Sequence, residues 1–175
     1  MGRIAIVGNI ASGKSSVEKI LEEKGYTVFD TDKIAHKILE NNPEVEKLFG
    51  TTDRKVLGNI VFNNPEKMKE LENIIHPLVK EEILKIKDGF ISIPQLFEAG
   101  YESLFDKVIF VSASEELRLE RLMKRNNLSK EEAAKRIKAQ LPEEEKIKKS
   151  DFVIKNEGNF EKLQSEVEKI LSNIY

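Results

Sequence analysis

The chain contains no cysteine and no tryptophan among its 175 residues. Without thiols there is no disulfide scaffold, no thiolate metal site and no cysteine nucleophile. The 2 histidines, His36 and His76, are far apart and lack a local ligand spacing such as H-E-x-x-H, so a zinc centre is not expected. No apolar run approaches the roughly 18 residues that a membrane-spanning helix needs. The N-terminus, Met1-Gly2-Arg3-Ile4, runs straight into a short apolar stretch rather than a secretory leader. A formal net charge of -2 offers no general basic field to nucleic acid or to an anionic membrane. These absences predict a cytoplasmic protein that binds neither. A phosphate-bearing ligand would have to be drawn in by a local feature.

What is present suits one charged globular domain, 39% hydrophobic and 34% charged, long enough to build its own core. Apolar runs of strand length stand at Ile4–Val7, Tyr26–Phe29, Phe90–Ile93, Val108–Val111 and Phe152–Ile154. They are almost continuously apolar, as strands covered on both faces of a parallel sheet are. Helical periodicity lies between them. Val17, Ile20 and Leu21 form a stripe that stops near Gly25, and Leu163, Val167, Ile170 and Leu171 form another in the last helix. The alternation predicts an α/β layered domain: a five-stranded parallel sheet with helices on both faces. Two intervals exceed a simple crossover. Residues 33–88 read as a helical insertion, and residues 115–149 as a densely charged helical lid in which Ser129 and Glu132 form a capping box. The core would then comprise about 1–32, 89–114 and 150–175.

The strongest motif is Gly8-Asn9-Ile10-Ala11-Ser12-Gly13-Lys14-Ser15, a match to G-x-x-x-x-G-K-[ST] placed between a strand and an amphipathic helix. Gly8 and Gly13 permit a backbone that turns its N–H groups inward around a polyphosphate, and the helix start adds its positive dipole end. Lys14 supplies a mobile cation for the β- and γ-phosphates of ATP, and the Ser15 hydroxyl can ligate Mg²⁺. Ala11, Ser12 and Ser16 complete the expected nucleotide contacts. Beyond the second strand, Asp30-Thr31-Asp32 brings two carboxylates to the carboxyl end of the sheet, where open α/β sheets bind ligands. A γ-phosphoryl group needs a hydroxyl acceptor held in line, and an aspartate can orient that hydroxyl and take its proton. Alternation along an extended chain places Asp30 and Asp32 on one side, with Asp32 farther out and Asp30 nearer to a capping position.

At this point the chain resembles the dephospho-coenzyme A kinase family. The resemblance runs through the phosphate loop, Asp30–His36, Asp53-Arg54-Lys55-Val56-Leu57, Ile60–Phe62 with Asn64-Pro65-Glu66, and Ile75-His76-Pro77-Leu78. It continues through Ile93–Glu98, Arg121 and Arg125, Arg136-Ile137 with Ala139-Gln140, and Asp151–Asn156. It implies a P-loop kinase-type three-layer fold and phosphorylation of the ribose 3′-hydroxyl of dephospho-coenzyme A by MgATP, the last step of coenzyme A synthesis. Carried over, Asp32 activates the hydroxyl, Lys14 and Arg121 stabilise charge on the phosphoryl group, and Arg54, His76, Pro77 and Glu98 face the acceptor. The insertion becomes the acceptor-binding region.

The sequence departs from the family pattern at Asn9 and Ala11, where glycines are usual, and at Gln95. It is shorter around Gly50–Asp53, and Lys146 stands where some members carry arginine. His36 reads as a helix-surface residue. Pro77 biases His76 toward an extended conformation at a helix boundary. Arg121 offers two readings, an arginine delivered to the phosphate or a salt bridge to Glu115 or Glu120. Another P-loop small-molecule or nucleotide kinase is the nearest rival function. A GTPase switch should carry a guanine-reading N-K-x-D stretch, and none occurs.

Overall fold

The structure, a computed structural model, describes residues 2–174. Strands β1 (Arg3–Gly8), β2 (Val28–Asp30), β3 (Gly89–Ser92), β4 (Lys107–Ser112) and β5 (Phe152–Lys155) make one sheet in the order β2-β3-β1-β4-β5. β1 lies parallel to β3 and to β4, and β4 parallel to β5, with Ala5 opposite both Ile91 and Val108. Successive residues of β1 are all buried from Ile4 to Val7. Because side chains alternate along a strand, this burial means both faces of the sheet are covered, which explains the continuous apolar run.

On one face Ile4, Ile6, Phe90, Ile109, Val111 and Ile154 meet α1 (Lys14–Glu23) and α10 (Phe160–Ile174). The two predicted stripes, Val17-Ile20-Leu21 and Leu163-Val167-Ile170-Leu171, are the buried faces of those helices. At about 1.5–3 kcal/mol per fully buried large aliphatic side chain, this layer is a principal source of stability. Tyr26, which its apolar run places in the second strand, precedes β2; it packs edge-on against Phe90 with ring centroids 5.5 Å apart.

The chain divides into two compact units, Met1–Phe29 with Asp88–Tyr175, and Asp30–Lys87. The second contains α2 (Thr31–Leu39), α3 (Pro43–Phe49), α4 (Arg54–Val61) and α5 (Pro65–Lys85). Each starts on a side-chain cap: Asp30, Asn42, Asp53 and Asn64 accept hydrogen bonds from first-turn N–H groups. Pro77 does not end a helix here. α5 continues through it for eight more residues. The missing N–H removes one intrahelical bond, but burial of Val79 and Ile83 beyond it keeps the helix going, overriding the local bias on His76.

In the first unit, α6 (Leu96–Ala99) follows β3, and a single 3₁₀ turn, Glu102–Leu104, precedes β4. The charged interval forms three helices, α7 (Glu115–Asn126), α8 (Lys130–Lys138) and α9 (Glu143–Lys148). Ser129 Oγ accepts from the Glu132 N–H at 3.2 Å, so the predicted cap is in place. The interval has more core than its charge suggests. Leu122, Ala133 and Ile137 are buried together, and Ile10 and Ala11 of the glycine-flanked loop pack on them.

Candidate active site

The loop from Gly8 to Gly13 leaves β1 and delivers the chain to α1. Gly13 caps α1 at φ 86°, a conformation that suits glycine, and a Cβ there would collide with the Asn156 side-chain amide. That amide donates to Ser12 O at 2.9 Å and holds the loop from β5. At Gly8 a Cβ would run into the buried Ser12 hydroxyl, whose oxygen has no hydrogen-bond partner. The Ser12 N–H closes a turn onto Asn9 O at 3.1 Å, and inside it Ala11 takes φ 63°. The first turn of α1 carries no acidic residue and no side-chain cap, so its positive end is not neutralised locally. Ser15 lies exposed in that turn, and the Ser16 N–H donates to Gly13 O at 3.0 Å.

Lys14 Nζ donates to Glu18 Oε1 at 3.0 Å and to Ser92 Oγ at the end of β3. Arg121 comes to the same loop from α7. Its Nη1 donates to Ala11 O and Ser12 O, both at 3.3 Å, and its Nη2 to Asn156 O at 2.8 Å. The guanidinium is bound to loop carbonyls, so the salt bridge to Glu115 or Glu120 is not its contact. Ala11, Gly13, Arg121, Lys124 and Arg125 border an open cavity of about 530 Å³, large enough for part of a nucleotide. Arg118, three residues earlier, turns away and is buried. Its Nε donates to Ala113 O at 3.1 Å and lies 3.9 Å from Glu143 Oε1. Burial pushes the Glu143 carboxyl up from its ordinary value, against the opposing pull of the Arg118 charge.

Glu98, expected on the acceptor side, forms a 2.9 Å ion pair with Lys146 of α9, and Lys146 is wholly buried. Lys146 Nζ also donates to Asn9 Oδ1 at 2.6 Å, while Asn9 Nδ2 donates to Leu141 O at 2.9 Å. The Ile10 N–H donates to Gln140 Oε1 at 2.6 Å.

Within residues 30–87 the strand ends at Asp30, and Thr31 already opens α2. Strand alternation therefore does not extend to Asp32, which sits in the first helical turn. Asp30 is the cap: its Oδ1 accepts from the Asp32 N–H at 2.8 Å. That bond commits Asp30 to the helix start and leaves Asp32 exposed. Asp32, His36, Arg54 and His76 line one cavity of about 320 Å³, with an apolar wall from Ala35, Leu39, Leu71 and Ile75. Arg54 Nη1 lies 3.3 Å from His36 Nδ1. A guanidinium has only donors, so His36 Nδ1 is the acceptor in this contact. Pro77 follows His76 along α5 and is exposed rather than part of the cavity wall.

A family model described as CoaE, dephospho-CoA kinase, matches residues 3–162. The chain belongs to the dephospho-CoA kinase family. A dephospho-CoA kinase from Bacillus cereus is 40% identical over 191 residues, covering 97% of this chain and 96% of the relative. That alignment is longer than the 175-residue chain, so the relative carries segments missing here. The structure of the dephospho-CoA kinase from Campylobacter jejuni superimposes with a TM-score of 0.76 at 40% identity, covering 98% of this chain and 96% of that one. TT1252 from Thermus thermophilus does so with a TM-score of 0.84 at 38% identity, covering 99% and 97%. The fold is the five-stranded parallel α/β fold of P-loop kinases, and family membership implies ATP use.

Reading this member of the dephospho-CoA kinase family by motif spacing leaves several site residues out. His36 passes for a surface residue because only the fold brings α4 and α5 to its side. Ser92 stands in no motif, and Asn156 and Gln140, though part of the family resemblance, carry nothing in their local sequence that links them to the phosphate loop. Their chain separations from it, 78, 144 and 130 residues, carry no periodicity.

Proposed function

We propose that the chain transfers the γ-phosphoryl group of ATP to the ribose 3′-hydroxyl of dephospho-coenzyme A, giving coenzyme A and ADP as the last step of coenzyme A synthesis in the cytoplasm. The observation that carries the acceptor assignment is the convergence of Asp32, Arg54 and His76 on one cavity. Its apolar wall suits part of a purine-bearing ligand, Arg54 and His76 suit phosphate or ribose oxygens, and Asp32 adds a carboxylate to the lining.

The nucleotide is assigned to residues 8–16. The donor set fits a triphosphate: an uncapped helix start, glycines where a Cβ would block the turn, and a lysine able to leave Glu18 for a stronger anion. The exposed Ser15 hydroxyl would hold Mg²⁺ beside the phosphate oxygens, and a bound Mg²⁺ offsets charge on the β- and γ-phosphates. Asp32 orients the acceptor hydroxyl and takes its proton as the oxygen attacks the γ-phosphorus. A bond forms between the ribose oxygen and the γ-phosphorus, the bond from that phosphorus to the β–γ bridging oxygen breaks, and ADP leaves with the electron pair. Lys14 and Arg121 stabilise the charge that spreads over the transferring group.

Asp32→Asn keeps the side-chain shape but removes the proton acceptor. Turnover should fall on the order of 10²–10⁴-fold while ATP affinity holds. Asp30→Asn retains an oxygen able to cap α2 and should cost far less. Turnover, ATP binding and melting, measured for both, test the assignment. Normal turnover in Asp32→Asn beside a dead Asp30→Asn would reverse it, and activity in both would remove the general base.

A further inference from the structure

Lys146 is wholly buried in a segment otherwise dominated by exposed charge. An ammonium taken out of water is costly unless a counter-charge and hydrogen-bond acceptors meet it. Glu98 Oε1 at 2.9 Å and Asn9 Oδ1 at 2.6 Å do so. The two contacts have different consequences. The Glu98 contact compensates the charge. The Asn9 contact fixes the polarity of an amide, because its oxygen must face the ammonium and its nitrogen then donates to Leu141 O.

Asn9 is only 4% exposed, and its backbone carbonyl accepts the Ser12 N–H that closes the loop turn. Within that turn Ala11 stands at φ 63°, a left-handed conformation that non-glycine residues keep only when their surroundings hold them there. Gln140 supplies a second tether through the Ile10 N–H. Arg121 donates to the Ala11 and Ser12 carbonyls and to Asn156 O, so its hydrogen bonds hold the far end of the turn rather than the Asn9 amide.

We propose that Lys146 is a positioning residue for nucleotide binding: by fixing the Asn9 amide it holds the strained Asn9–Ser12 turn in the form that receives the triphosphate. It acts through Asn9 and touches no substrate. Without it the amide loses its charged donor, Ala11 relaxes to negative φ, and the receptive loop becomes a minority state. Apparent ATP affinity then falls by the fraction of molecules still receptive, while turnover at saturation is preserved. The inference rests on the reading of residues 8–16 as the nucleotide site, and the test separates the two.

Lys146→Met keeps the length and removes the charge. The KM for ATP should rise about tenfold with kcat within about twofold, the signature of a population loss rather than of lost chemistry. In an Ala11→Gly background the same replacement should raise KM less than about twofold, because glycine adopts positive φ without strain. Hydrogen exchange at the Ile10–Ser12 amides, measured without nucleotide, should speed up in Lys146→Met and not in the double variant. That readout does not depend on ATP. A native chain that binds no ATP would therefore refute the nucleotide reading, while unchanged exchange in Lys146→Met would refute the role of Lys146. Should Lys146→Met fail to fold, Asn9→Ala leaves the Lys146–Glu98 pair intact and must show the same KM rise and the same suppression. An unchanged KM, or a defect of equal size in both Ala11 backgrounds, overturns the proposal.

Discussion

Arg121 holds three carbonyls at once, those of Ala11, Ser12 and Asn156, through two nitrogens of one planar fork. A lysine is a single point donor and cannot span them. If Arg121 acts as proposed, Arg121→Lys should lower turnover on the order of 10²-fold, as loss of one preorganised donor at a site of developing charge does. The check is steady-state turnover beside thermal melting on one purified variant; near-normal turnover with only a melting shift would make Arg121 structural. At this scale the sequence is legible where chemistry is local. Lys14 and Ser15 stand at the start of α1, where the motif places a strand-to-helix junction, and Asp32 lies just beyond the end of β2. Lys146 illustrates the opposite case. Its position suggests a lid cation, yet its burial follows from Glu98 and Asn9, 48 and 137 residues away in sequence. No local pattern records such contacts.

Elements follow their periodicity until an end effect intervenes. The stripes of α1 and α10 are legible because burial against a sheet imposes the 3.6-residue period. The boundary between β2 and α2 is not: the Asp30 cap starts the helix at Thr31 and takes Asp32 out of strand geometry. Pro77 misleads for a similar reason, since packing beyond it outweighs one lost hydrogen bond. Within the charged interval, α7 and α9 are joined by Arg118 of α7 and Glu143 at the start of α9. Arg118 Nη1 and Glu143 Oε2 are both buried without hydrogen-bond partners.

Burial raises the carboxyl of Glu143, so the folded state holds its proton at pH values where the unfolded chain has released it. Stability from this group is complete below the ordinary carboxylate value and declines as the pH rises through the raised one. Glu143→Gln should flatten that part of the melting-temperature profile. Profiles of identical slope in native and variant protein would show that the carboxyl does not titrate in this window.

Across the molecule, the sequence alternation predicts five parallel strands, and the described residues form one five-stranded sheet. Their order, with β1 between β3 and β4, is not legible in any one segment, because it depends on crossovers whose partners are dozens of residues apart. The compact unit Asp30–Lys87 holds α2 to α5, a run of helices that has no place in the sheet. Selectivity for dephospho-coenzyme A is decided by one competition assay. The purified chain is given ATP and Mg²⁺ with dephospho-coenzyme A, adenosine and nucleoside monophosphates together, and the products are resolved by phosphorus NMR. The expected result is ADP in step with a single new phosphomonoester on the ribose 3′-oxygen of coenzyme A, with the competing acceptors unphosphorylated. Phosphorylation of a nucleoside monophosphate or of adenosine in preference to dephospho-coenzyme A would contradict it.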